Sequence, residues 1–260
     1  MSASNISAYA QGRLEAEYRI TMTRVTIGQI TWHADIGNNS YSTSANGKAS
    51  GVLSVLISGQ GSVVTTGRIV NWHLAPTTFT SNIIDEDGKT ELQILFSDGV
   101  AKESIIQEPP KKPELVAVNE ADRRDVTDPL SAMLITSDAR GGVPESADCN
   151  RALPIFDGQR RYNLVMTYRR VEEIKIERGY SGPALVCNAV LLPIGGYRID
   201  SKVVKYIANR RDIELWFAPI IGTSIMAPVQ VSVPTLIGTL RIQAEQFVTV
   251  PTSALHGPLP

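Results

Sequence analysis

The chain has 260 residues, 43% of them hydrophobic, and its 25 basic and 26 acidic side chains leave a formal net charge of −1. A chain of this size buries roughly three quarters of its unfolded surface, which suits one large domain or two small ones and requires no metal or cofactor for folding. The balanced charge provides no overall field that attracts nucleic acid, and no run approaches the roughly 18 apolar residues of a membrane-spanning helix.

The first hundred residues show the alternation of apolar and polar side chains that indicates half-buried strands. Tyr18, Ile20 and Met22 alternate with polar residues, and a turn near Gly28 is predicted to lead into a second strand, Gln29 to Ile36. Residues 51–57 fit a short helix or a buried strand equally well. Further strands are predicted at 41–48, 62–72, 77–85 and 89–97, with hairpin turns at Asp87-Gly88 and Asp98-Gly99.

Residues 107–127 have the composition of a loop. They contain Pro109-Pro110-Lys111-Lys112-Pro113 and the charged run Glu120 to Asp125, which cannot build a core. Asp128-Pro129 then offers an N-cap and a proline at the first helical position. A short helix is therefore predicted from Asp128 to Asp138, packed against the sheet or plugging it.

The second half returns to strands, and they are predicted at 162–169, 184–192, 213–217, 224–233 and 240–245, with one or two helical turns at 201–208. We expect a mainly β fold, a strongly curved antiparallel sheet or open β-barrel of roughly a dozen strands with one or two short helices, because curling hides sheet edges. Residues 14–250 are predicted to form a single β domain, in which loop 107–127 joins two meanders. Flexible segments are predicted at 1–13 and 251–260.

Residues suited to catalysis are scarce. The histidines are His33, His73 and His256; the first two each follow a tryptophan on a predicted strand, and the third lies in a Pro-rich tail. This pattern disfavours both a Ser/His/Asp triad and a zinc site. The segment 179–183 has proline where a G-x-S-x-G nucleophile elbow needs its last glycine, and the segment 88–90 lacks the remaining parts of a phosphate loop. We therefore predict no enzyme, no catalytic residues, no cofactor and no metal.

Two charged features admit a binding interpretation and a simpler one. Asp85-Glu86-Asp87 could hold calcium weakly, although a solvated acidic turn is far commoner. Four arginine pairs could converge on an anionic partner, although arginines scattered over strands more often keep sheet edges soluble. The pairs are 123–124, 160–161, 169–170 and 210–211.

Several short motifs carry a resemblance to a known family. In the first half they are Gly28, Leu74-Ala75-Pro76 to Phe79, and Asp128-Pro129-Leu130-Ser131. In the second half they are Cys149-Asn150-Arg151, Phe156 to Tyr162, Gly182-Pro183 through Cys187, Pro193 to Tyr197, and Trp216 to Ile220. With these motifs the chain, from about Glu15 to Phe247, resembles the proteobacterial domain-of-unknown-function-3108 family, and its second half resembles the alphaproteobacterial branch.

The resemblance implies export to the periplasm, a mostly antiparallel β fold and no assigned enzymatic activity. Two cysteines alone fit either free thiols in the cytosol or one bridge outside it, and export implies a disulfide between Cys149 and Cys187. The N-terminus, Met1 to Ser7, lacks the charged start and apolar stretch of a signal peptide. Export therefore implies a leader removed ahead of Met1, whereas a natural start at Met1 implies a cytoplasmic protein.

Three functions are compatible with this picture. The favoured one is envelope maintenance through binding of an apolar, lipid-like ligand; the alternatives are a scaffold that contacts other envelope proteins and, less favoured, a hydrolase. The ligand hypothesis predicts two apolar rows lining a common interior, which either holds the ligand or is filled by the helix around Leu130 to Leu134. The rows are Tyr18, Ile20 and Met22, and Tyr162, Leu164, Met166 and Tyr168. Neither a nucleic-acid partner nor a membrane span is expected.

Overall fold

Alternating side chains build a mainly β structure in the computed structural model, which describes residues 11–49, 59–85, 88–107, 115–137 and 144–252. The strands of the first half are β1 Gly12–Met22, β2 Val25–Ile36, β3 Ser40–Ala49, β4 Gln60–Val70, β5 His73–Asp85, β6 Gly88–Ser97 and β7 Val100–Gln107. Those of the second half are β8 Ile135–Thr136, β9 Arg151–Phe156, β10 Arg161–Lys175, β11 Arg178–Gly179, β12 Ser181–Gly195, β13 Ile213–Pro219, β14 Ile225–Thr235 and β15 Gly238–Pro251.

These strands form one sheet with the neighbour order β7-β6-β5-β4-β3-β2-β1-β15-β14-β13-β12-β10-β9, and every pair along this order is antiparallel. The pairing of β1 with β15 joins the first half of the chain to its last strand. The sheet curls into a nearly closed barrel, so the predicted mainly β, strongly curved fold is confirmed.

Two hairpin turns lie where the sequence carries no glycine. The turn between β1 and β2 is Thr23-Arg24 and the turn between β4 and β5 is Asn71-Trp72, and all four residues have positive φ. Such turns normally use glycine, asparagine or aspartate. The turn predicted near Gly28 is therefore wrong, since Gly28 lies within β2, and Trp72 is a turn residue rather than the end of a strand.

The remaining turn and strand predictions have mixed outcomes. Asp98-Gly99 is the predicted hairpin turn, both residues having positive φ, and it leads into β7, which the sequence pattern did not indicate. Residues 51–57 and Asp87 lie outside the described residues. The predicted helical turns at 201–208 are confirmed: α1 spans Lys202–Ala208, and the Ser201 hydroxyl accepts a hydrogen bond from the Val204 amide.

The segment that joins the two halves closes the gap between the outermost strands, β7 and β9. The Val126 amide donates to the Gly99 carbonyl in the β6–β7 turn at 2.9 Å. On the other side, the Thr127 amide donates to Pro154 of β9 at 2.8 Å, and Phe156 donates back to Thr127 at 2.9 Å. This part of the predicted 107–127 loop thus supplies backbone hydrogen bonds at the seam of the barrel.

Beyond the seam, residues 128–135 of the same segment, which we call the plug, enter the core, and the core consists of two clusters of buried side chains. Leu130 and Leu134 belong to the first cluster, Ala132 and Ile135 belong to the second, and Met133 packs against both. The predicted α-helix from Asp128 to Asp138 is not formed in the described part, because a single 3-10 turn at Ser131–Met133 gives way to β8. The chain leaves the helical path at Leu134, whose backbone is extended, because Ile135 and Thr136 pair with Met226 and Ile225 of β14.

A buried carboxylate holds this turn in place. Asp128 Oδ1 accepts hydrogen bonds from the Leu130 and Ser131 amides at 2.9 and 3.0 Å and from the Thr65 hydroxyl on β4 at 2.8 Å. The capping predicted for Asp128 is thus present, although it caps only one turn. Asp128 Oδ2 is buried and has no hydrogen-bond partner among the described residues. Burial raises the pKa of Asp128 above its ordinary value, against the opposing effect of these hydrogen bonds.

A disulfide ties the chain that follows the plug to the middle of the sheet. Cys149, at the end of a 3-10 turn at Ser146–Cys149, is bonded to Cys187 in β12, as predicted, and the Cα atoms are 5.5 Å apart. Both cysteines are fully buried in the second cluster. On the chain-entropy description, a bridge across 38 residues stabilises the fold by about 4 kcal/mol.

We predict that replacing both cysteines with alanine, C149A/C187A, lowers the free energy of unfolding by about 4 kcal/mol, because the unfolded chain regains its loop entropy. Urea denaturation of the variant and the wild type measures the difference. Thiol titration of the unreduced, denatured wild type should detect no free thiol. A full complement of two thiols, or identical denaturation midpoints, contradicts this prediction.

We predict that Asp128→Asn makes the protein more stable relative to wild type as the pH rises. The pKa of the Asp128 carboxyl is higher in the folded protein than in the unfolded chain. The stability that this group contributes is therefore complete below the unfolded-state pKa. Above that pKa it falls by about 1.4 kcal/mol per pH unit, until the pH reaches the folded-state pKa. The amide keeps the acceptor oxygen and does not ionise. Urea unfolding at about pH 4 and about pH 7 measures the change, with the exposed Glu173→Gln as control. A stability difference between Asp128→Asn and wild type that does not vary with pH refutes the prediction.

Candidate functional site

The two predicted ligand-binding rows face different parts of the core. Tyr18 belongs to the first cluster, and its hydroxyl donates to the Pro228 carbonyl at 2.7 Å, while Ile20 and Met22 are half-buried. Leu164 and Met166 belong to the second cluster. Tyr162 packs against that second cluster, and Tyr168 is exposed. The rows therefore do not line one common interior.

The described residues contain no arrangement that resembles a familiar catalytic or metal site. His33 in β2 and His73 in β5 are both exposed, and neither side chain makes a hydrogen bond within the described ranges. No group of three or more His, Cys, Asp and Glu side chains in that part of the chain is placed to hold a metal ion. His256 and the Glu86-Asp87 part of the acidic turn lie outside the described residues.

The arginine pairs are engaged locally and do not converge. Arg123 lies 5.4 Å from the centroid of the Phe156 ring, and Arg161 donates to the carbonyl of Tyr162 at 2.7 Å. Arg210 pairs with Asp212. Arg170 lies over the Trp216 ring at 5.0 Å. Of these contacts, the one between Arg170 and Trp216 borders a cleft on the protein surface.

The cleft arises because the β10–β12 hairpin leaves the sheet before its tip. β12 pairs with β13 only from Leu185 to Ala189, whereas its earlier residues, 181–184, pair with β10 alone. The tip instead crosses to the other side of β14, where β11 pairs in parallel with Gln246-Phe247 of β15. An opening therefore remains between the hairpin and the strands that it crosses.

Three hydrogen bonds and one aromatic contact hold the hairpin tip on β15 and β1. Arg178 donates to Glu17 Oε2 at 2.6 Å and to Gln246 Oε1 at 2.9 Å. The Tyr180 amide donates to the Phe247 carbonyl at 3.0 Å, and the two rings meet edge to face. Gly179 has a φ of 128°, and a Cβ there would collide with the same carbonyl. The sequence predicted a turn at 179–183 but not this docking, because its partners lie more than 60 residues away.

The cleft has a volume of about 920 Å³ and combines an apolar floor with a polar wall. Ile174 and Ile176 of the hairpin face Trp216 of β13 and Val229 of β14 across it. Thr21, Gln230 and Gln243 add hydrogen-bonding groups. A second concavity of about 510 Å³ over β2 to β6 is lined mostly by polar residues and lacks an aromatic side chain.

The charged residues of the cleft are predominantly basic. Arg19, Arg24, Lys175 and Arg241 line it, against Glu177 and Glu245. Glu245 forms an ion pair with Arg19. Arg24, Lys175 and Arg241 have no ion pair within the described ranges. The cleft thus carries positive charge that a bound anion would neutralise.

The cleft runs along β15 from the hairpin to one end of the barrel. Its lining extends from Glu245 beside the hairpin to Gly238 at the β14–β15 turn, about 23 Å of extended strand. Trp216 is fixed near the hairpin by Arg170 and by the bond from its Nε1 to Glu214, 3.1 Å long. The arrangement can accept an elongated ligand with an apolar part and an anionic group.

Comparisons with known proteins give a family but no activity. No curated protein matches the chain. One solved structure, the crystal structure of a beta-barrel-like protein of domain of unknown function DUF1849 from Brucella abortus, aligns with a TM-score of 0.49 and 11% identity, covering 94% of this chain and 99% of that one. Within the described residues, no helix has the length and apolar character needed to span a membrane.

The family match covers both halves of the sheet and the segment between them. Residues 17–245 match the family described as "Protein of unknown function (DUF3108)". These residues run from β1 to β15 and include every element that builds the cleft, from Arg19 to Glu245. The chain belongs to the DUF3108 family.

Proposed function

We propose that this protein is a non-catalytic protein of the periplasm that maintains the cell envelope by binding an anionic, lipid-like amphiphile in the cleft beneath the β10–β12 hairpin. The observation that carries the proposal is the combination of an apolar floor with basic side chains that lack acidic partners. The family has no assigned function, which is consistent with a protein that performs no catalysis.

The apolar floor suits the hydrocarbon part of such a ligand. Ile176 and Val229 are already buried, and Trp216 is half-buried, so a ligand in contact with them loses its own apolar surface from water. The volume of about 920 Å³ lies at the upper end of the range usual for small-molecule sites, about 300 to 1,000 Å³. An acyl chain lying along β15 fits the elongated shape of the cleft.

The basic residues suit the headgroup. A guanidinium presents a planar fork of donors that matches phosphate and carboxylate oxygens, and Arg24 and Arg241 both have this fork free of acidic partners in the described ranges. Gln230 and Gln243 can donate further hydrogen bonds. A cationic amphiphile would instead bring like charges together.

The disulfide supports a location outside the cytosol. Structural disulfides persist in oxidising compartments such as the periplasm and are rare in the reducing cytosol. Cys149 and Cys187 are bonded and fully buried, as befits a structural bridge. A periplasmic protein also meets phospholipids in transit between two membranes, the class of ligand for which the cleft is suited.

We predict that monomeric lysophosphatidylglycerol binds the cleft and shifts the fluorescence of Trp216, which borders it. The titration uses a Trp72→Phe background, because Trp72 is exposed on a turn and would add an unrelated signal. Arg241→Glu should weaken binding about tenfold or more, the loss of one charge-assisted contact. The variant Trp216→Phe should lose this fluorescence shift, which identifies Trp216 as its source.

Arg68→Glu is the matched control for that experiment, because Arg68 is an exposed arginine on β4, outside the cleft. Its affinity should equal that of the background protein. The proposal fails if lysophosphatidylglycerol gives no saturable change, or if Arg241→Glu and Arg68→Glu bind equally well.

We also predict that Gly179→Ala detaches the hairpin and weakens binding of the same amphiphile, since the added Cβ collides with the Phe247 carbonyl. Trypsin should then cleave the native protein faster at the exposed Lys175 and Arg178. Gly88→Ala is the matched control, because Gly88 has a similar φ of 121° but open space at its Cβ position. Equal cleavage rates in the two variants would show that the docking of the hairpin does not depend on Gly179.

A further inference from the structure

One end of the barrel carries an unusual concentration of exposed aliphatic side chains. In an antiparallel sheet, alternate connections lie at the same end, so the β1–β2, β12–β13 and β14–β15 connections lie together. The β14–β15 turn exposes Leu236 and Ile237, with 54% and 78% of their surface accessible. The β12–β13 connection exposes Ile199 at 71% and Val203 of α1 at 55%.

The turn that carries the most exposed of these side chains is braced by its neighbour. The Thr23 amide in the β1–β2 turn donates to Thr239 at 3.0 Å, and its hydroxyl donates to the Ile237 carbonyl at 3.3 Å. The Thr235 hydroxyl closes the turn with a bond to Gly238 of 2.7 Å. These bonds hold Leu236 and Ile237 outward, although folding gains nothing from aliphatic side chains left in water.

The same end is basic, although the whole chain has a formal net charge of −1. Arg24, Lys202 and Lys205 are exposed there and have no ion pair in the part of the chain that the structure describes. The acidic residues beside α1, Asp200 and Asp212, are each neutralised by an arginine. Aliphatic side chains at protruding turns, surrounded by lysine and arginine, suit the interface of an anionic bilayer, where the aliphatic groups insert and the cations meet phosphates.

We infer that this end of the barrel, formed by the β1–β2, β12–β13 and β14–β15 connections, docks on the surface of anionic phospholipid membranes. The charge complementarity selects a lipid surface over an apolar protein groove. The exposed aliphatic groups also stand on two separate connections, β12–β13 and β14–β15, which a fluid surface accommodates without a matching shape. The cleft reaches this end at Gly238 and Thr239, so docking would bring its open end to the bilayer, a consequence that rests on the proposed function.

Vesicle co-sedimentation tests the inference. The full chain should bind vesicles of equal parts phosphatidylglycerol and phosphatidylcholine, and bind pure phosphatidylcholine vesicles at least about tenfold more weakly. The double variant L236S/I237S should lose about tenfold or more in binding to the anionic vesicles, since two inserted aliphatic groups are removed. The charge-reversal variant K202E/K205E should bind the anionic vesicles more weakly than the wild type does, and should bind the phosphatidylcholine vesicles as the wild type does.

Ile221→Ser is the matched control, because Ile221 is a half-exposed aliphatic residue on the β13–β14 turn at the opposite end of the barrel. It should bind vesicles as the wild type does. Equal vesicle binding by L236S/I237S and Ile221→Ser overturns the inference. So does self-association that L236S/I237S abolishes in the absence of lipid, which would assign the aliphatic end to a second copy of the chain.

The lysophosphatidylglycerol titration separates this inference from the proposed function. Leu236 and Ile237 do not line the cleft, so L236S/I237S should keep the Trp216 response to the monomeric amphiphile while losing vesicle binding. A wild type that binds vesicles but not the monomeric amphiphile would uphold the docking surface and refute the cleft.

Discussion

The barrel depends on how its outermost strands, β7 and β9, are joined. They do not pair with each other, and unpaired sheet edges expose donors and acceptors that invite aggregation. Val126 and Thr127 bridge the gap at one point, with a hydrogen bond to Gly99 beside β7 and two with Pro154 and Phe156 of β9. Asp128 follows directly and fixes the chain to β4 through Thr65. Closure of the barrel and placement of its plug are thus achieved by consecutive residues.

The two clusters of buried side chains lie on opposite faces of the second-half strands, since consecutive residues of β14, Met226 and Ala227, belong to different clusters. Leu130 and Leu134 fill the first cluster while Ile135 fills the second, and the disulfide secures the second cluster from its far side. Tyr18 and Met166, expected to share a cavity, belong to different clusters because the two clusters occupy opposite faces of the sheet. The cleft borders the first cluster, to which its lining residues Ile176 and Val229 belong, and opens where the β10–β12 hairpin is no longer paired with β13.

Local distribution of charge matters more here than its total. The near-neutral sequence disfavours long-range attraction to any polyanion, yet the cleft and the adjoining end of the barrel hold basic side chains without acidic partners in the described ranges. Most acidic groups near them are paired, as Glu245 is with Arg19 and Asp200 is with Arg198. Selectivity for an anionic ligand or surface would therefore act at short range, where screening by salt is weakest.

The sequence by itself determined the fold class, most strands, the α1 turns and, through the family resemblance, the disulfide, because side-chain alternation and capping residues act within a few neighbours. It misplaced the turns at Thr23 and Asn71, where residues other than glycine adopt positive φ under tertiary constraint. It also extended the Asp128 cap into a helix, whereas the chain becomes extended at Leu134 and pairs with β14 from Ile135. The cleft was beyond sequence reasoning, since Trp216, Ile176 and Arg19 are brought together only when the hairpin crosses β14 to reach β15. Contacts between residues so distant in the chain leave no periodic signal, and only the tertiary structure decided them.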